Sequence, residues 1–312
     1  MDGLLVIDKP AGPTSHDVVA CLRRVLGEPR IGHTGTLDPG ASGVLPLVLG
    51  RATRLARFLS ASDKSYEAVI RVGVATDTYD AEGTAVGTAH DGARPTREAI
   101  EAALGAFRGS FLQQPPAYSA KKVAGRRSYK TARASARGGS ERAGAIALPG
   151  PVPVIVHRLD LVGLDADTVT LRVDCSAGFY VRALAHDLGQ RLGAGAHLAA
   201  LRRTRSGDFT LADALSFEAA ERDAGLARAA VVPLAQMLPR WSSVVLTEEG
   251  ARRVAHGRDV GPDDVAALPD GQAESSAPAQ QVVRLLDQQG ELIGIAQPGS
   301  SPGLLHPSIV LV

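Results

Sequence analysis

The stretch that most constrains this chain is IGHTGTLDPGASGVLPL, residues 31–47. Four glycines (Gly32, Gly35, Gly40, Gly43) and two prolines interrupt it. These are too many chain-breakers for a helix or a central strand, so the stretch is expected to form a shaped loop. Within it the Pro39-Gly40 pair bends the backbone beside one carboxylate, Asp38, while Leu37 and Val44 to Leu47 offer apolar anchors for a core. Asp38-Pro39-Gly40 also meets the ordinary preferences of a turn, and on these residues alone a turn is the commoner reading. His33 and Asp38 as metal ligands is a weaker alternative, because no Cys, His or Glu cluster nearby completes a ligand set.

GHTGTLDPGASGVLP resembles the catalytic motif of the bacterial tRNA pseudouridine-55 synthases, the TruB family, in which the Asp of GxLDP is the nucleophile. Six further segments follow that family in order: KPAGPTSHDVV (9–19), LGRATRLARFL (49–59), DKSYEAVIRVGVATDTYDAEG (63–83), PPAYSAKKVAGRRSY (115–129), CSAGFYVRALAHDLG (175–189) and GAHLAALRRTRSG (195–207). Seven motifs in order, over about two thirds of the chain, are far more specific than any one of them.

Read along the chain, Gly3 to Asp8 is expected as a strand. Thr14 or Ser15 then caps a helix with Val18, Leu22, Val25 and Leu26 on its apolar face, Thr14 and Asp17 making a capping box and Gly27 ending it. His16 is expected on that helix's surface with no special role. Arg51 to Leu59 reads as a further helix. Tyr66 to Val74 alternates with a period of two, a strand signal. DTYDAEG (77–83) reads as a solvated acidic turn region. Thr96 to Phe107 reads as a helix with Ile100, Leu104 and Phe107 inward, and Val152 to Leu164 and Thr168 to Cys175 as paired strands. After Ser176-Ala177-Gly178 a helix carries Val181, Leu184, Leu188 and Leu192 on one face. Arg182 in its first turn is badly placed for a cation unless an acid meets it. Leu198 to Phe209 returns as a strand.

Between Tyr118 and Arg142 stand Lys121, Lys122, Arg126, Arg127, Lys130, Arg133, Arg137 and Arg142 against a single acid, Glu141. Such a run attracts a polyanion through counterion release. Residues 213–312 carry 7 basic and 13 acidic side chains and residues 1–212 carry 27 and 20, so the positive charge lies with the motifs. Two cysteines, Cys21 and Cys175, offer no disulfide framework and are expected buried. The N-terminus has no basic leader, and no run approaches the length of a membrane span. A cytoplasmic protein is expected.

The resemblance implies an α+β (mixed α/β) pseudouridine synthase fold, with a large mixed, mainly antiparallel sheet, a central catalytic cleft and a small β-rich C-terminal domain like the PUA domain. The implied division is a catalytic domain at 1–223 with a basic, mobile RNA-clasping insertion at 118–150, a connector at 224–240 and the C-terminal domain at 241–312, where residues 268–281 read as a disordered loop. The implied reaction is cofactor-free isomerisation of uridine at position 55, in the T-arm stem-loop of tRNA, by a monomer. The base must be extruded into a pocket, with aromatic contacts offsetting the lost stacking. Asp38 is the implied nucleophile, attacking at the sugar C1′ or at the base, and Arg182 keeps it ionised and oriented. Tyr66 stacks on the base and can help remove the C5 proton. Tyr180 packs on the base, Leu201 lines the uracil pocket and His33 contacts the RNA. Lys64, Lys121, Lys122, Arg126, Arg127, Arg202 and Arg203 are candidate RNA contacts, with Arg205 beside them. A catalytically silent tRNA-binding or tRNA-folding protein would share the basic patch and the aromatics, but binding alone does not require Asp38, Tyr66 and Arg182 together.

Overall fold

The computed structural model describes residues 1–90, 92–117, 149–267 and 282–312, with the backbone of 122–123 and 126–127. Lys121 and the side chains of Lys122, Arg126 and Arg127 lie outside the described residues, as do nearly all of the basic insertion and the loop at 268–281.

Eleven strands among the described residues form one mixed sheet. Its main members are β1 (Gly3–Lys9), β2 (Ile31–His33), β3 (Ala41–Leu49), β4 (Lys64–Val72), β5 (Gly109–Gln113), β6 (Val152–Asp165), β7 (Thr168–Cys175) and β8 (Ala196–Ser206). Along the sheet the order is β1, β3, β8, β4, β7, β6, β5, with β2 on β3 and short strands flanking β1 and β8. Pairing is mainly antiparallel, the parallel pairs being β8 with β3 and Leu215–Ser216 with β1. Thus β8 joins two half-sheets. It runs beside β4 from Ala196 to Ser206, but it meets β3 at only three registers, Leu201 with Ala41, Arg202 with Ser42 and Arg203 with Gly43.

The apolar runs of β1 and β3 are continuous because both of their faces are covered, whereas a half-exposed strand would alternate. Leu5, Ile7, Leu45, Leu47 and Leu49 pack with Val18, Val19, Leu22 and Leu26 of helix α1 (Ser15–Leu26). Leu4, Val6, Val44 and Val48 face the other way, onto Leu55, Leu59, Met237 and the C-terminal Leu292, Ile295 and Leu311. Helix α1 begins as expected: Thr14 caps it with a capping box to Asp17, and Gly27 ends it at φ 65°. The second half-sheet buries Ala68, Ile70, Val169, Leu171 and Val173 against helices α2 (Arg97–Leu104) and α3 (Val181–Arg191).

Two expectations are corrected. Residues 41–49 form a central strand, so the shaped loop is confined to Thr34–Gly40. Gly43 belongs in that strand because a Cβ there would stand 2.1 Å from the Arg203 carbonyl oxygen, and its φ of +103° suits glycine. Pro46 is accommodated at the end of the ladder with β2, where only its carbonyl is used, accepting from Thr34 N at 3.1 Å. DTYDAEG is partly buried and docked on β8, with Leu198 N donating to the Tyr79 carbonyl at 2.9 Å and Ala81 N to the Leu198 carbonyl at 3.0 Å. Residues 224–240 fold back onto the first half-sheet, as a helix at Ala224–Ala229 and a strand, Val232–Pro233, paired with β1.

A second sheet of five strands among the described residues, Ser243 to Val310, carries one helix at Glu248–Ala255. It is pinned to the first by shared apolar packing and by Arg51, whose Nη1 donates to the Leu311 carbonyl while its Nε pairs with Asp2 at 3.0 Å. Cys21 and Cys175 are free and buried. No helix among the described residues is long and apolar enough to cross a membrane.

Substituting Gly43→Ala should destabilise the protein by about 2–4 kcal/mol, through combined overpacking and backbone strain where the half-sheets meet. The check is the urea midpoint of the variant against wild type.

Candidate active site

The Thr34–Gly40 loop is held almost entirely by its backbone. Ser15, buried at the start of α1, grips Leu37 twice: its hydroxyl donates to the Leu37 carbonyl at 2.9 Å and accepts from Leu37 N at 2.8 Å. Arg203 donates through Nη2 to the Gly35 carbonyl at 3.0 Å and through Nε to the Val44 carbonyl at 2.7 Å. Lys9 donates through Nζ to the carbonyls of Pro10 (2.8 Å), Pro13 (2.7 Å) and Pro39 (3.3 Å). Gly12 N also donates to the Pro39 carbonyl, at 2.8 Å, and Ala41 N closes the turn onto the Asp38 carbonyl at 3.1 Å. Residues on both sides of Asp38 are therefore fixed while its side chain stays 46 % exposed. A carboxylate presented this way can be reached by a substrate without a rearrangement of its support.

The cation facing Asp38 is Arg182, whose Nε stands 3.0 Å from the carboxylate. Its side chain is only 9 % exposed, and Nη1 lies 3.4 Å from the Asp80 carboxylate and donates to the Thr78 carbonyl at 3.1 Å. Placed in the first turn of α3, a cation meets the positive helix end, and the two acids in front of it offset that repulsion. Asp80 is itself set by Thr78 Oγ1 at 2.6 Å and Glu82 N at 3.1 Å. The pair opens into a cleft lined by Asp38, Gly40, Ala41, Asp80 to Glu82, Arg182 and Leu198 to Leu201. This cleft lies at the start of the short β3–β8 contact, where Leu201 meets Ala41.

Of the residues singled out in the sequence, Asp38, Arg182 and Leu201 come together in the cleft. Tyr66 is buried opposite Arg203 in the β4–β8 ladder, and burial pushes its phenol up, with Arg203 acting in the other direction. Tyr180 caps α3, its backbone clamped by Gln113: Tyr180 N donates to Gln113 Oε1 at 2.8 Å and Gln113 Nε2 donates to the Tyr180 carbonyl at 3.0 Å. His33 ends β2 and meets exposed His16 edge-on, ring centroids 5.6 Å apart. Burial, helped by His16 and Arg203, holds His33 toward its neutral form. Arg202 pairs with Asp8 at 2.7 Å.

Arg203 and Lys64 differ from their reading as RNA contacts. Arg203 is 1 % exposed and spends its guanidinium on loop and strand carbonyls. Lys64 is 6 % exposed and donates to the carbonyls of Ser60 and Ser62. Both are covered because β8 and β4 are central strands whose inward positions face the underside of the loop. Lys9, Ser15, Thr78 and Asp80 were not singled out by sequence reasoning. The signal nearest to one was Arg182 itself, whose first-turn position asks for acids, and two of them answer it.

Among the described residues no group of three or more His, Cys, Asp and Glu side chains is arranged to hold a metal ion.

Residues 23–181 match a family profile described as "TruB family pseudouridylate synthase (N terminal domain)", and residues 182–238 match "tRNA pseudouridylate synthase B C-terminal domain". The chain is 44 % identical over 313 residues to the tRNA pseudouridine synthase B of Solibacter usitatus, covering 100 % of each. It is 43 % identical over 297 residues to that of Mycolicibacterium paratuberculosis (94 % of this chain, 92 % of the relative) and 39 % over 312 residues to that of Stutzerimonas stutzeri (98 % and 94 %). Among solved structures it is similar, with a TM-score of 0.72 and 26 % identity, to a chain in the crystal structure of a Cbf5-Nop10-Gar1 complex, covering 99 % of this chain and 85 % of that one. A chain in an H/ACA RNP bound to a substrate RNA containing 2′-deoxyuridine gives a TM-score of 0.70 at 23 % identity, with the same coverage, a likeness of fold.

Burial lowers both Lys9 and Lys64 to about 8, from an ordinary value of 10.5. Above about pH 8 the folded protein sheds these protons while the unfolded chain keeps them to 10.5. The two sites therefore make stability rise with pH across that window and leave it flat below. Lys9→Met and Lys64→Met should each flatten the rise in urea midpoint between pH 7.5 and 10 relative to wild type. Curves parallel to wild type would show that neither lysine is buried as a charge.

Proposed function

The chain belongs to the TruB family of pseudouridylate synthases, and from that premise we propose how its residues carry out the reaction. It is a tRNA pseudouridine synthase, an isomerase acting on uridine in tRNA. We infer that its target is the uridine at position 55 in the T-arm stem-loop, and that it works as a cytoplasmic monomer. Residues 1–223 serve as the catalytic unit, 224–240 link it, and 241–312 form the PUA-like unit. A silent tRNA-binding role is not favoured, because the curated relatives matched over nearly their whole length are named as synthases.

The observation that carries the reading is the Asp38–Arg182 pair at 3.0 Å, on a loop braced from behind and facing an open cleft. In the proposed reaction the target nucleotide leaves the stack of the T-loop and its base enters the cleft beside Leu201. Asp38 attacks as a carboxylate, a group able both to form a covalent bond and to leave. The N1 glycosidic bond breaks, the uracil turns, C5 bonds to C1′ as Asp38 is released, and the proton lost from C5 is matched by one gained at N1. Arg182 holds the Asp38 carboxylate in place through the ion pair at 3.0 Å. Tyr66 and Tyr180 supply aromatic surface, each base stacking worth about 1–3 kcal/mol against the cost of extrusion. Tyr66 also helps take the C5 proton, and His33 meets the RNA left behind by the flipped base. The basic run from Lys121 to Arg127, with Arg202, attracts the phosphate backbone.

Asp38→Asn removes the nucleophile and almost no volume. It should reduce tritium release from C5-labelled uridine in an unmodified tRNA transcript by at least about 10³-fold, while tRNA affinity stays within a few-fold. Loss of binding by a folded variant would remove Asp38 from the assigned role. Neutralising Lys121, Lys122, Arg126 and Arg127 together should weaken tRNA binding and reduce the slope of log K against log salt by roughly 0.7–0.9 for each phosphate that is no longer neutralised. A filter-binding salt titration measures it, and an unchanged slope would move the RNA footprint elsewhere.

A further inference from the structure

The acidic loop that brings Asp80 and the Thr78 carbonyl to Arg182 holds, between them, a residue in a disfavoured backbone state. Tyr79 has a φ of +67°, a region that residues with a Cβ rarely occupy. Its ring lies flat on His186, with centroids 3.9 Å apart and planes 14° from parallel. His186 follows Arg182 by four positions in α3, so the two project from one helix face. One loop thus meets one helix face at two neighbouring points. Arg182 takes the Thr78 carbonyl and Asp80, and His186 takes the intervening tyrosine.

Neither ring is among the residues that line the cleft. The backbone bonds of Tyr79 and Ala81 to Leu198 tie the loop along β8. The ring stack ties it across to α3. His186 Nδ1 is buried without a hydrogen-bond partner among the described residues, so at that atom no hydrogen bond sets the ring, and the flat contact with Tyr79 does. Burial holds His186 neutral, as suits a ring stacked on a phenol.

We propose that Tyr79 and His186 are positioning residues whose stacked rings hold the Thr78–Asp80 segment against α3, and so keep Arg182 aimed at Asp38. The proposal rests on the roles given above to Asp38 and Arg182. It has a kinetic consequence: loosening the stack leaves tRNA binding intact and slows the chemical step, because the guanidinium is misaligned where the carboxylate reacts.

The test compares His186→Ala and Tyr79→Gly, which remove one ring each, with His186→Phe and Tyr79→Phe, which keep two. Tyr79→Gly also relieves the positive φ while His186→Ala does not, so comparing the two separates backbone strain from ring loss. Each is measured on unmodified tRNA transcript for kcat, KM and tRNA affinity, after wild type has been shown to form pseudouridine. Ring removal is expected to lower kcat roughly tenfold with KM and affinity little changed, and the Phe variants to recover most of it. In an Asp80→Asn background His186→Ala should add no further loss, because both act through the same guanidinium. Wild-type kcat in both ring-removed variants, Phe variants no better than those, or an undiminished His186→Ala effect in the Asp80→Asn background would each overturn the proposal. If His186→Ala fails to fold, Tyr79→Gly and its cycle with Asp80→Asn decide the matter. An inactive wild type would count against the assigned reaction rather than the latch.

Discussion

The interaction on which the rest of this structure depends is the buried guanidinium of Arg203, set where two half-sheets meet. Its backbone lies so close to Gly43 that a side chain there has no room, and its Nε and Nη2 reach the carbonyls of Val44 in β3 and Gly35 in the loop. A charge so deep is costly unless its donors are satisfied. Carbonyls from two segments satisfy them, which fixes the loop relative to the strand it leaves. β3 and β8 share only three registers, and the cleft opens at the first of them, where Leu201 meets Ala41, two registers before Arg203 meets Gly43. One requirement, that a buried cation find acceptors, thus sets the loop's path.

The same logic extends beneath the loop. Lys9 and Lys64 are also buried, and also held by backbone carbonyls rather than carboxylates. Each is displaced toward its neutral form by burial, with the neighbouring positive charge of Arg203 adding to the effect. The acids of the region are kept for the cleft, where Asp38 and Asp80 flank Arg182. The Asp38 carboxylate thus sits above a floor of cations, yet stays half open to solvent.

Much of this was legible in the chain, and the failures have physical causes. The Thr14–Asp17 capping box, the Gly27 stop and the period of two in β4 are local signals, and each stands as read. Gly43 and Pro46 misled because their local propensity argues against a strand, while the reason for them, a neighbouring backbone and a ladder end, lies far away in sequence. The run Arg202-Arg203 looked like one phosphate-contacting patch, yet strand alternation sends neighbours to opposite faces, so Arg203 is buried while Arg202 reaches Asp8. Asp80 was hidden in a loop whose acidity suggested solvation. Nothing within DTYDAEG announces that Leu198, more than a hundred residues on, will pair with its backbone. The Asp38–Arg182 pair was accessible only through the family resemblance, since no spacing rule joins residues so far apart in the chain.

The C-terminal sheet has a structural task that its net charge does not reveal. Its Leu292, Ile295 and Leu311 complete the core behind Leu4, Val6, Val44 and Val48, the faces of β1 and β3 turned away from α1. Without that cover the two strands that carry Lys9 and lead out of the Asp38 loop would expose one apolar face to water, at a cost of about 25 cal/mol per Å². Arg51 and Arg54 fasten the arrangement by donating to the carbonyls of Leu311 and Val310 at the chain's end. An acidic, β-rich domain is therefore tied to the catalytic sheet through apolar contacts and backbone carbonyls, which do not depend on its sign of charge. The division of charge along the chain and the sharing of one core are therefore independent features of the same fold.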